Sequence, residues 1–201
     1  MTARVGILLS GRGSNFVALY EAIRDGVVPD AEVVAVLSNV ADAPGLERAR
    51  EFGLDVEAIP HRGMKRREHD AAMVEALRRR KVEWVCLAGY MRILTPVFVS
   101  AFSKRMLNIH PSLLPAFPGL DAQRQAWEYG VRVSGCTVHL VDEGMDTGPI
   151  VAQESVDIGG CGDAGEASAR ILEKEHALYA KALSRLLSES WKVEGRRVVF
   201  G

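Results

Sequence analysis

The sequence predicts an α/β protein with a mostly parallel central sheet, helices on both faces and an antiparallel C-terminal extension. Over residues 1–110 short apolar runs alternate with amphipathic segments, which is typical of parallel strands joined by right-handed helical crossovers. After Pro118-Gly119 the pattern changes to strands of alternating polarity and one long helical segment. A chain of 201 residues suits one domain, so we expect a single domain made of a βα half, residues 1–110, and a second half, residues 111–201.

The first half of the chain contains the signals for five strands and four helices. Each apolar run is short enough to be a strand buried on both faces, and Gly53, Pro60 and Pro96 mark element ends. The predicted strands are residues 5–9, 32–38, 56–59, 84–88 and 106–110, and the predicted helices are residues 16–24, 45–52, 66–80 and 96–102. This order places three loops at the carboxyl edge of the sheet, where we expect them to line one cleft: residues 10–15, 89–94 and 108–119.

The second half predicts a short helix, two strands, a long helix and a terminal hairpin. The short helix covers residues 122–129 and ends at Gly130, and the strands cover residues 134–141 and 150–158. Asp163 is placed to cap a helix over residues 164–188. Glu194-Gly195 is placed to turn a hairpin over residues 191–200.

A glycine-rich loop, Ser10-Gly11-Arg12-Gly13-Ser14-Asn15, joins the first strand to the first helix. Such a loop presents backbone N–H groups and the positive end of the helix dipole to an anion. The third glycine of a dinucleotide fingerprint is replaced by Phe16, and no Gly-Lys-Ser/Thr follows. The loop therefore favours a single phosphate. Its alternative is a tight turn in which Ser14 or Asn15 caps the helix.

Asn108 and His110 lie two residues apart at the end of the fifth predicted strand, so their side chains share one side of it. Pro111 forces the chain to turn directly afterwards. An amide donor can hold an oxyanion and an imidazole can move a proton, so the pair suits chemistry at a carbonyl. The alternative is a turn asparagine beside a structural histidine.

Charge and cysteine content disfavour several classes of function. A net charge of −1 gives no strong attraction to nucleic acid or to an anionic membrane. The first apolar run is too short for a signal peptide, and the apolar runs are too short for a membrane span. Three cysteines without a C-x-x-C pattern favour reduced thiols. We therefore expect a cytoplasmic monomer or homodimer that acts on small molecules, without a nucleic-acid or membrane partner.

Four motifs follow one another in a fixed order: Ser-Gly-Arg-Gly-Ser-Asn (10–15), Leu-Ala-Gly-Tyr-Met-Arg-Ile-Leu (87–94), Asn-Ile-His-Pro-Ser-Leu-Leu-Pro (108–115) and Thr-Val-His-Leu-Val-Asp-Glu-Gly-Met-Asp-Thr-Gly-Pro-Ile (137–150). With these motifs the chain resembles, over nearly its whole length, the phosphoribosylglycinamide formyltransferases, which are folate-dependent enzymes of purine synthesis. The resemblance implies a Rossmann-like formyltransferase fold. It also implies transfer of the formyl group of 10-formyltetrahydrofolate, the co-substrate, to the amino group of glycinamide ribonucleotide.

The resemblance implies roles for individual residues as well. Asn108, His110 and Asp146 match the catalytic trio. Gly13, Ser14 and Asn15 match the loop that holds the substrate phosphate, and Glu175 matches a carboxylate that binds the ribose. The segments around the folate match these residues, several of them through backbone atoms: Arg67 (with Arg66 as the alternative arginine), Met91, Arg92, Ile93, Leu94, Asn108, Asp142, Glu143, Gly144, Met145 and Asp146.

Some of these positions have plainer alternatives. Asp146 in Asp-Thr-Gly is also a typical turn or cap residue, and Glu175 could be a solvent-facing helix residue. Asp121 departs from the family, many members of which carry a histidine there. It could tune His110 or be exposed and silent. His139 is interpreted as structural, with a supporting role in the site as the alternative.

The residues favour direct transfer, because the sequence contains no nucleophile elbow and no cysteine with a clear catalytic partner. Asn108 would hold the oxyanion, and His110 would give a proton to N10 of the folate. That role needs His110 to be protonated near neutral pH. We therefore expect the charge of Asp146 to keep the pKa of His110 at or above about 6.5. His61, His69 and His176 form no metal-ligand pattern, so we expect no metal.

Three other proteins would share parts of this pattern. A methionyl-tRNA formyltransferase should carry an RNA-binding C-terminal domain and Arg-Gly in place of Pro118-Gly119. A formyltetrahydrofolate hydrolase should carry an N-terminal regulatory domain. We expect neither additional domain, because these 201 residues leave no room for one. A non-catalytic phosphate-binding module would use the glycine loop alone, which leaves Asn108, His110 and Asp146 without a common purpose.

Overall fold

The computed structural model describes residues 2–201 and contains two compact units. The first unit ends at Leu107 and the second is Asn108–Gly201. The division therefore falls within the fifth strand, three residues before the boundary expected between the two halves. Whether the chain behaves as one domain stays a prediction.

The first unit is a parallel α/β layer. Strands β1 (Ala3–Leu9), β2 (Ala31–Ser38), β3 (Val56–Ala58) and β4 (Trp84–Leu87) lie in the order β3-β2-β1-β4, and every pair is parallel. The helices that join them, and the one that follows β4, are α1 (Ser14–Arg24), α2 (Pro44–Glu51), α3 (Arg66–Arg79) and α4 (Pro96–Ala101). Residues 5–9 are all buried, which is the reason that β1 reads as an uninterrupted apolar run.

Strand β5 (Met106–His110) starts in the first unit and delivers Asn108 and His110 to the second. The second unit continues with α5 (Ala122–Tyr129), β6 (Val133–Leu140), β7 (Ile150–Asp157) and α6 (Ala164–Ser188), and closes with β8 (Trp191–Glu194) and β9 (Arg197–Phe200). β6 and β7 are antiparallel, β9 adds to β7 in parallel, and β8 forms a hairpin with β9. The expected α/β fold, mostly parallel with an antiparallel C-terminal extension, is confirmed.

Local signals explain where most elements begin and end. Pro44 and Pro96 occupy the first turns of their helices, and the side chain of Asp163 accepts a hydrogen bond from the backbone N–H of Glu166 (2.8 Å) at the start of α6. Cys86 and Cys136 are buried and Cys161 is half-buried, all three as free thiols. No helix in residues 2–201 is long and apolar enough to cross a membrane.

Candidate active site

The carboxyl end of β5 carries a histidine whose orientation is set by a backbone carbonyl. His110 is 4% exposed, and its Nε2 lies 2.9 Å from the carbonyl oxygen of Phe117. A carbonyl only accepts, so Nε2 carries a proton and Nδ1 is the nitrogen that can take up or release one. Ser112 helps to shape this turn by donating to the carbonyl oxygen of Ala116 (2.5 Å). Phe117 itself has a positive φ of 51°, a costly conformation for a bulky residue.

Asp146 meets His110 from the loop between β6 and β7. Its Oδ2 accepts a hydrogen bond from the backbone N–H of Gly119 (2.8 Å) and lies 3.5 Å from Nδ1 of His110. Asp146 also has a positive φ of 56°, a left-handed backbone conformation that is unfavourable for most residues other than glycine. The alternative of a simple cap or turn aspartate does not describe these contacts, because its side chain faces the histidine.

His139 contacts both Asn108 and Asp146, which its interpretation as a structural histidine did not predict. Its Nδ1 lies 2.9 Å from the carbonyl oxygen of Leu140, so Nδ1 carries a proton. In the neutral ring Nε2 is then an acceptor, and it lies 3.1 Å from Nδ2 of Asn108. The same Nε2 is 3.7 Å from Oδ1 of Asp146. His139 therefore orients the amide of Asn108 and borders the carboxylate, which is the supporting role left as an alternative.

The expectation that the pKa of His110 lies at or above its ordinary value is wrong. Burial lowers the pKa of His110 below its ordinary value, and the ring of His139, when it is protonated, lowers it further. The hydrogen bond to Phe117 and the carboxylate of Asp146 act in the opposite direction but do not overcome burial. Asp146 raises the pKa as expected. The resting imidazole is nonetheless mainly neutral near pH 7, because the desolvation of a charged ring inside the protein costs more than the carboxylate returns.

The ionisation of Asp146 and Cys136 follows from their surroundings. Burial alone would raise the pKa of Asp146, but the side chain of His139, the N–H of Gly119 and the charge of His110 bring it below its ordinary value, so Asp146 is a carboxylate at neutral pH. Burial raises the pKa of Cys136 to about 12, with the charge of Glu175 contributing. Cys136 is thus a thiol rather than a nucleophilic thiolate.

The glycine-rich loop forms part of the wall of a cavity within the first unit. The cavity has a volume of about 220 Å³ and is lined by residues 10–15 with Ala88, Gly89 and Met91. Gly13 precedes α1 with a φ of 74°, and no side chain caps the helix. The alternative in which Ser14 or Asn15 caps the helix is therefore wrong, because Gly13 is the residue that directly precedes the first turn of α1.

The segment after β4 borders the same cavity within the first unit. Ser10 donates its backbone N–H to the carbonyl oxygen of Gly89 (3.0 Å), and its Oγ accepts from the N–H of Met91 (2.8 Å). Two of the three loops expected at one edge are thereby brought together. The meeting of these two loops with residues 108–119 stays a prediction. Met91 is 63% exposed and Ile93 49% exposed, whereas Leu94 is buried.

The other predicted ligand-binding residues are distributed over both units. In the second unit, Asp142 accepts from the N–H of Gly144 (3.1 Å) and from Oγ1 of Thr147 (2.7 Å), which shapes the loop of residues 142–149. Glu143 and Met145 are both exposed. Glu175 is buried on α6, so its alternative as a solvent-facing residue is wrong.

Three further charged residues lie at the surface. Arg66 and Arg67 are both exposed in the first turn of α3, and their contacts do not decide between them. Asp121 is exposed at the start of α5 with a φ of 55°. This exposure agrees with the silent alternative for Asp121 rather than with tuning of His110. Within residues 2–201 no three His, Cys, Asp or Glu side chains are grouped to hold a metal ion.

Comparison with known families and proteins gives one consistent result. Residues 3–183 match the model of the formyl transferase family. The chain is 38% identical to the phosphoribosylglycinamide formyltransferase of Bacillus subtilis over 92% of this chain and 94% of that protein. It is 48% identical to the trifunctional purine biosynthetic protein adenosine-3 of Drosophila pseudoobscura pseudoobscura, over 92% of this chain. The matched region is only 14% of that insect protein.

Solved structures agree with the sequence comparisons. The fold is similar to that of glycinamide ribonucleotide transformylase 1 from Symbiobacterium toebii, with a TM-score of 0.96 and 45% identity over 99% of this chain and 94% of that one. A second similar structure, with 40% identity and a TM-score of 0.88, is a phosphoribosylglycinamide formyltransferase from Brucella melitensis.

Proposed function

The chain belongs to the formyl transferase family, and from this premise we propose that it is a phosphoribosylglycinamide formyltransferase. It transfers the formyl group of 10-formyltetrahydrofolate to the amino group of glycinamide ribonucleotide, which yields formylglycinamide ribonucleotide and tetrahydrofolate in purine synthesis. The observation that carries the proposal is the cluster of Asn108, His110 and Asp146, joined by His139. An amide, a neutral imidazole and a carboxylate in mutual reach are what acyl transfer to an amine requires.

Asn108 stabilises the negative charge that develops on the formyl oxygen. The substrate amine attacks the formyl carbon, a C–N bond forms, and the carbonyl electron pair moves to oxygen. An amide N–H of Asn108, held in place by His139, donates to that oxygen. Loss of one such donor typically costs about 3–4 kcal/mol of barrier.

His110 moves the proton that the attack sets free. The attacking nitrogen becomes positively charged, and the neutral imidazole takes its proton at Nδ1. The oxyanion then collapses, the bond from the formyl carbon to N10 breaks, and the same proton passes to N10, directly or through a water. No net proton is gained or lost. Asp146 stabilises the transient imidazolium from 3.5 Å, so the lowered resting pKa of His110 fits a shuttle that starts neutral.

The two ligands are assigned to different residues. Gly13, Ser14 and Asn15 bind the ribonucleotide phosphate through the start of α1, and Glu175 binds the ribose. Folate binding is assigned to residues 91–94 and 142–146, and the contact with its glutamate end is assigned to Arg67. Exposed apolar side chains in both segments, Met91, Ile93 and Met145, suit the flat apolar faces of a pterin.

The setting of the enzyme follows from the same reasoning. We propose a cytoplasmic location, since all three thiols are free and Cys86 and Cys136 are buried. The partners are the two small-molecule substrates, without nucleic acid, membrane or metal, and the protein is a monomer or a homodimer.

The proposal is tested by mixing the purified protein with 10-formyltetrahydrofolate, with and without glycinamide ribonucleotide. Tetrahydrofolate release is followed optically, and the ribonucleotide product by mass spectrometry. We expect release that requires the ribonucleotide, a product heavier by one formyl group, and a loss of about 10²-fold or more in His110→Ala. Release without ribonucleotide would identify a hydrolase instead. Binding of inorganic phosphate without any release would leave only a phosphate-binding module.

A further inference from the structure

A second group of buried polar side chains lies in the first unit, outside the cluster described above. Asp70, on α3, is completely buried, and its Oδ2 accepts a hydrogen bond from the backbone N–H of Thr95 at 2.6 Å. Its Oδ1 lies 3.6 Å from Nδ1 of His69, which is also completely buried. A buried carboxylate is costly unless it is paired or hydrogen-bonded, so the hydrogen bond from Thr95 is one that this carboxylate requires.

The surroundings of Asp70 belong to the segment that leads from β4 to α4. Tyr90 is buried, and burial together with the charge of Asp70 raises the pKa of its phenol, so it stays protonated beside the carboxylate. The charge of Arg92 acts on the pKa of the same phenol in the opposite direction. Asp70 therefore acts by its charge on Tyr90 and by a hydrogen bond on Thr95, which are the two ends of this segment.

This segment is irregular and is held at both ends by side chains. At its start, the N–H of Met91 donates to Oγ of Ser10, and at its end, the N–H of Thr95 donates to Asp70. Residues 91–95 contain no helix or strand, and Met91 and Ile93 project into solvent between the two anchors. A short stretch with exposed apolar side chains keeps one conformation only if its ends are fixed.

We propose that Asp70 is a positioning residue for folate: its carboxylate holds Thr95 and thereby keeps residues 91–94 in the conformation that receives the ligand. The inference rests on the proposed function, which assigns these residues to the folate site. Asp70 touches no substrate. Its effect passes through the backbone of the segment, so it should alter folate binding and leave ribonucleotide binding to the glycine loop.

The test compares Asp70→Ala, which removes the acceptor, with Asp70→Asn, which keeps a weaker neutral one. We expect KM for the folate to rise about 10-fold or more in Asp70→Ala and only a few-fold in Asp70→Asn, since a hydrogen bond to a charged group is worth more than a neutral one. KM for the ribonucleotide should change less than about twofold, and kcat at saturating folate should fall less than the folate kcat/KM. Amide hydrogen exchange of peptides covering residues 88–96 should accelerate in the same order.

Asp163→Ala is the matched control for lost stability. It removes the cap of α6 in the second unit and should lower the urea midpoint of unfolding without changing the KM for folate. If Asp70→Ala does not fold, Asp70→Asn carries the test by itself, and an unchanged KM for folate with unchanged exchange in residues 88–96 overturns the proposal. Equal rises in both KM values would also overturn it.

Failure of this inference can be told apart from failure of the proposed function. Direct binding of tetrahydrofolate is measured by calorimetry on the same proteins, without turnover. A wild-type protein that binds tetrahydrofolate and shows the same affinity in Asp70→Ala refutes the role of Asp70 alone. A wild-type protein that neither binds tetrahydrofolate nor transfers formyl refutes both.

Discussion

At the scale of single residues, one ring nitrogen of His110 is held in a hydrogen bond and the other can take up or release a proton. Nε2 donates to the carbonyl of Phe117, and Nδ1 faces Asp146 at 3.5 Å. The ring is therefore fixed in one tautomer before substrate arrives, and the carboxylate lies beside the nitrogen that titrates. This arrangement separates orientation, which the carbonyl provides, from charge stabilisation, which the carboxylate provides.

Removal of the carboxylate in Asp146→Asn should shift the pH dependence of the reaction. The charge of Asp146 raises the pKa of His110, so its loss lowers that pKa further, and the acid limb of kcat/KM moves to lower pH. The maximal rate should fall by about 10²-fold or more, because the imidazolium loses its counter-charge. Initial rates measured from pH 5 to 9 test this, and an acid limb that stays in place contradicts it.

Asp121→Asn is the matched substitution of the same kind. Asp121 is exposed, and its carboxyl makes no hydrogen bond at the start of α5. Its neutralisation should leave both the acid limb and the maximal rate within about twofold, as expected for an exposed surface site. A shift as large as that in Asp146→Asn would assign Asp121 the tuning role that its exposure argues against.

His139 offers a test of how the amide of Asn108 is held. We expect His139→Ala to lower kcat, but by less than the roughly 10²- to 10³-fold that follows from loss of an oxyanion donor in Asn108→Ala. Because His139 acts through Asn108, the double variant should be scarcely slower than Asn108→Ala. Kinetics of the three variants form the cycle, and fully multiplicative losses would show that His139 acts independently of Asn108.

The sequence predicted which residues form the candidate site better than it predicted their burial and protonation. Two-residue spacing placed Asn108 and His110 together, and family motifs supplied Asp146. The alternation in β6 predicts that Thr137 and His139 lie on the face opposite its apolar side chains, and the structure shows that this polar face is buried as well. That face is filled by polar contacts, including Thr137 Oγ1 to the carbonyl oxygen of Ser112 at 2.7 Å. Burial of this kind depends on tertiary packing, and for the same reason the net pKa shift of His110 could not be read from its sequence neighbours.

At the scale of elements, the loop of residues 142–149 places Asp146 through a close approach of backbones. A Cβ added at Gly148 would lie 1.8 Å from the carbonyl oxygen of Leu140, the residue after His139. Only glycine allows the loop to return against the end of β6, where the N–H of Leu140 also bonds to the carbonyl oxygen of Pro149 (2.9 Å).

Gly148→Ala should therefore displace the loop and with it Asp146. We expect a loss of activity comparable to that of Asp146→Asn and a destabilisation of about 1–3 kcal/mol, since backbone must shift to admit the methyl group. Gly160→Ala is the control, because its added Cβ would meet nothing within 4 Å and its φ is not positive. Kinetics and urea unfolding of both variants decide. An active Gly148→Ala protein would mean that the loop tolerates the change.

Element boundaries were the most predictable feature of the fold. The proline at the start of α4, the capping Asp163 and the hairpin turn at Gly195 are local signals, and each one appears where it was expected. β1 begins at Ala3 and β2 at Ala31, two residues and one residue earlier than predicted, because Ala3 pairs with Ala31 and Arg4 pairs with Glu32. Strand pairing is a tertiary interaction, so polar residues at strand ends carry no local mark of it.

At the scale of the whole molecule, the buried ionisable groups couple stability to pH. Burial lowers the pKa of folded His110, so below about pH 6.5 the unfolded chain binds its proton more readily and stability falls. Above that pH His110 is neutral in both the folded and the unfolded chain, and it does not contribute to the pH dependence of stability. Asp146 has a lowered pKa when folded, so it stabilises the protein above its unfolded pKa and loses that contribution as the pH falls through the folded value.

Replacement of His110 by glutamine should reduce the loss of stability between about pH 7 and pH 5, because glutamine takes up no proton on unfolding. The free energy of unfolding of wild type and His110→Gln is measured in urea at several pH values, and the difference between the two curves is the observable. The wild-type curve should fall more steeply than that of the variant as the pH drops through 6.5. If the two curves stay parallel, the folded pKa of His110 is not lowered, and the neutral starting state of the proton shuttle loses its support.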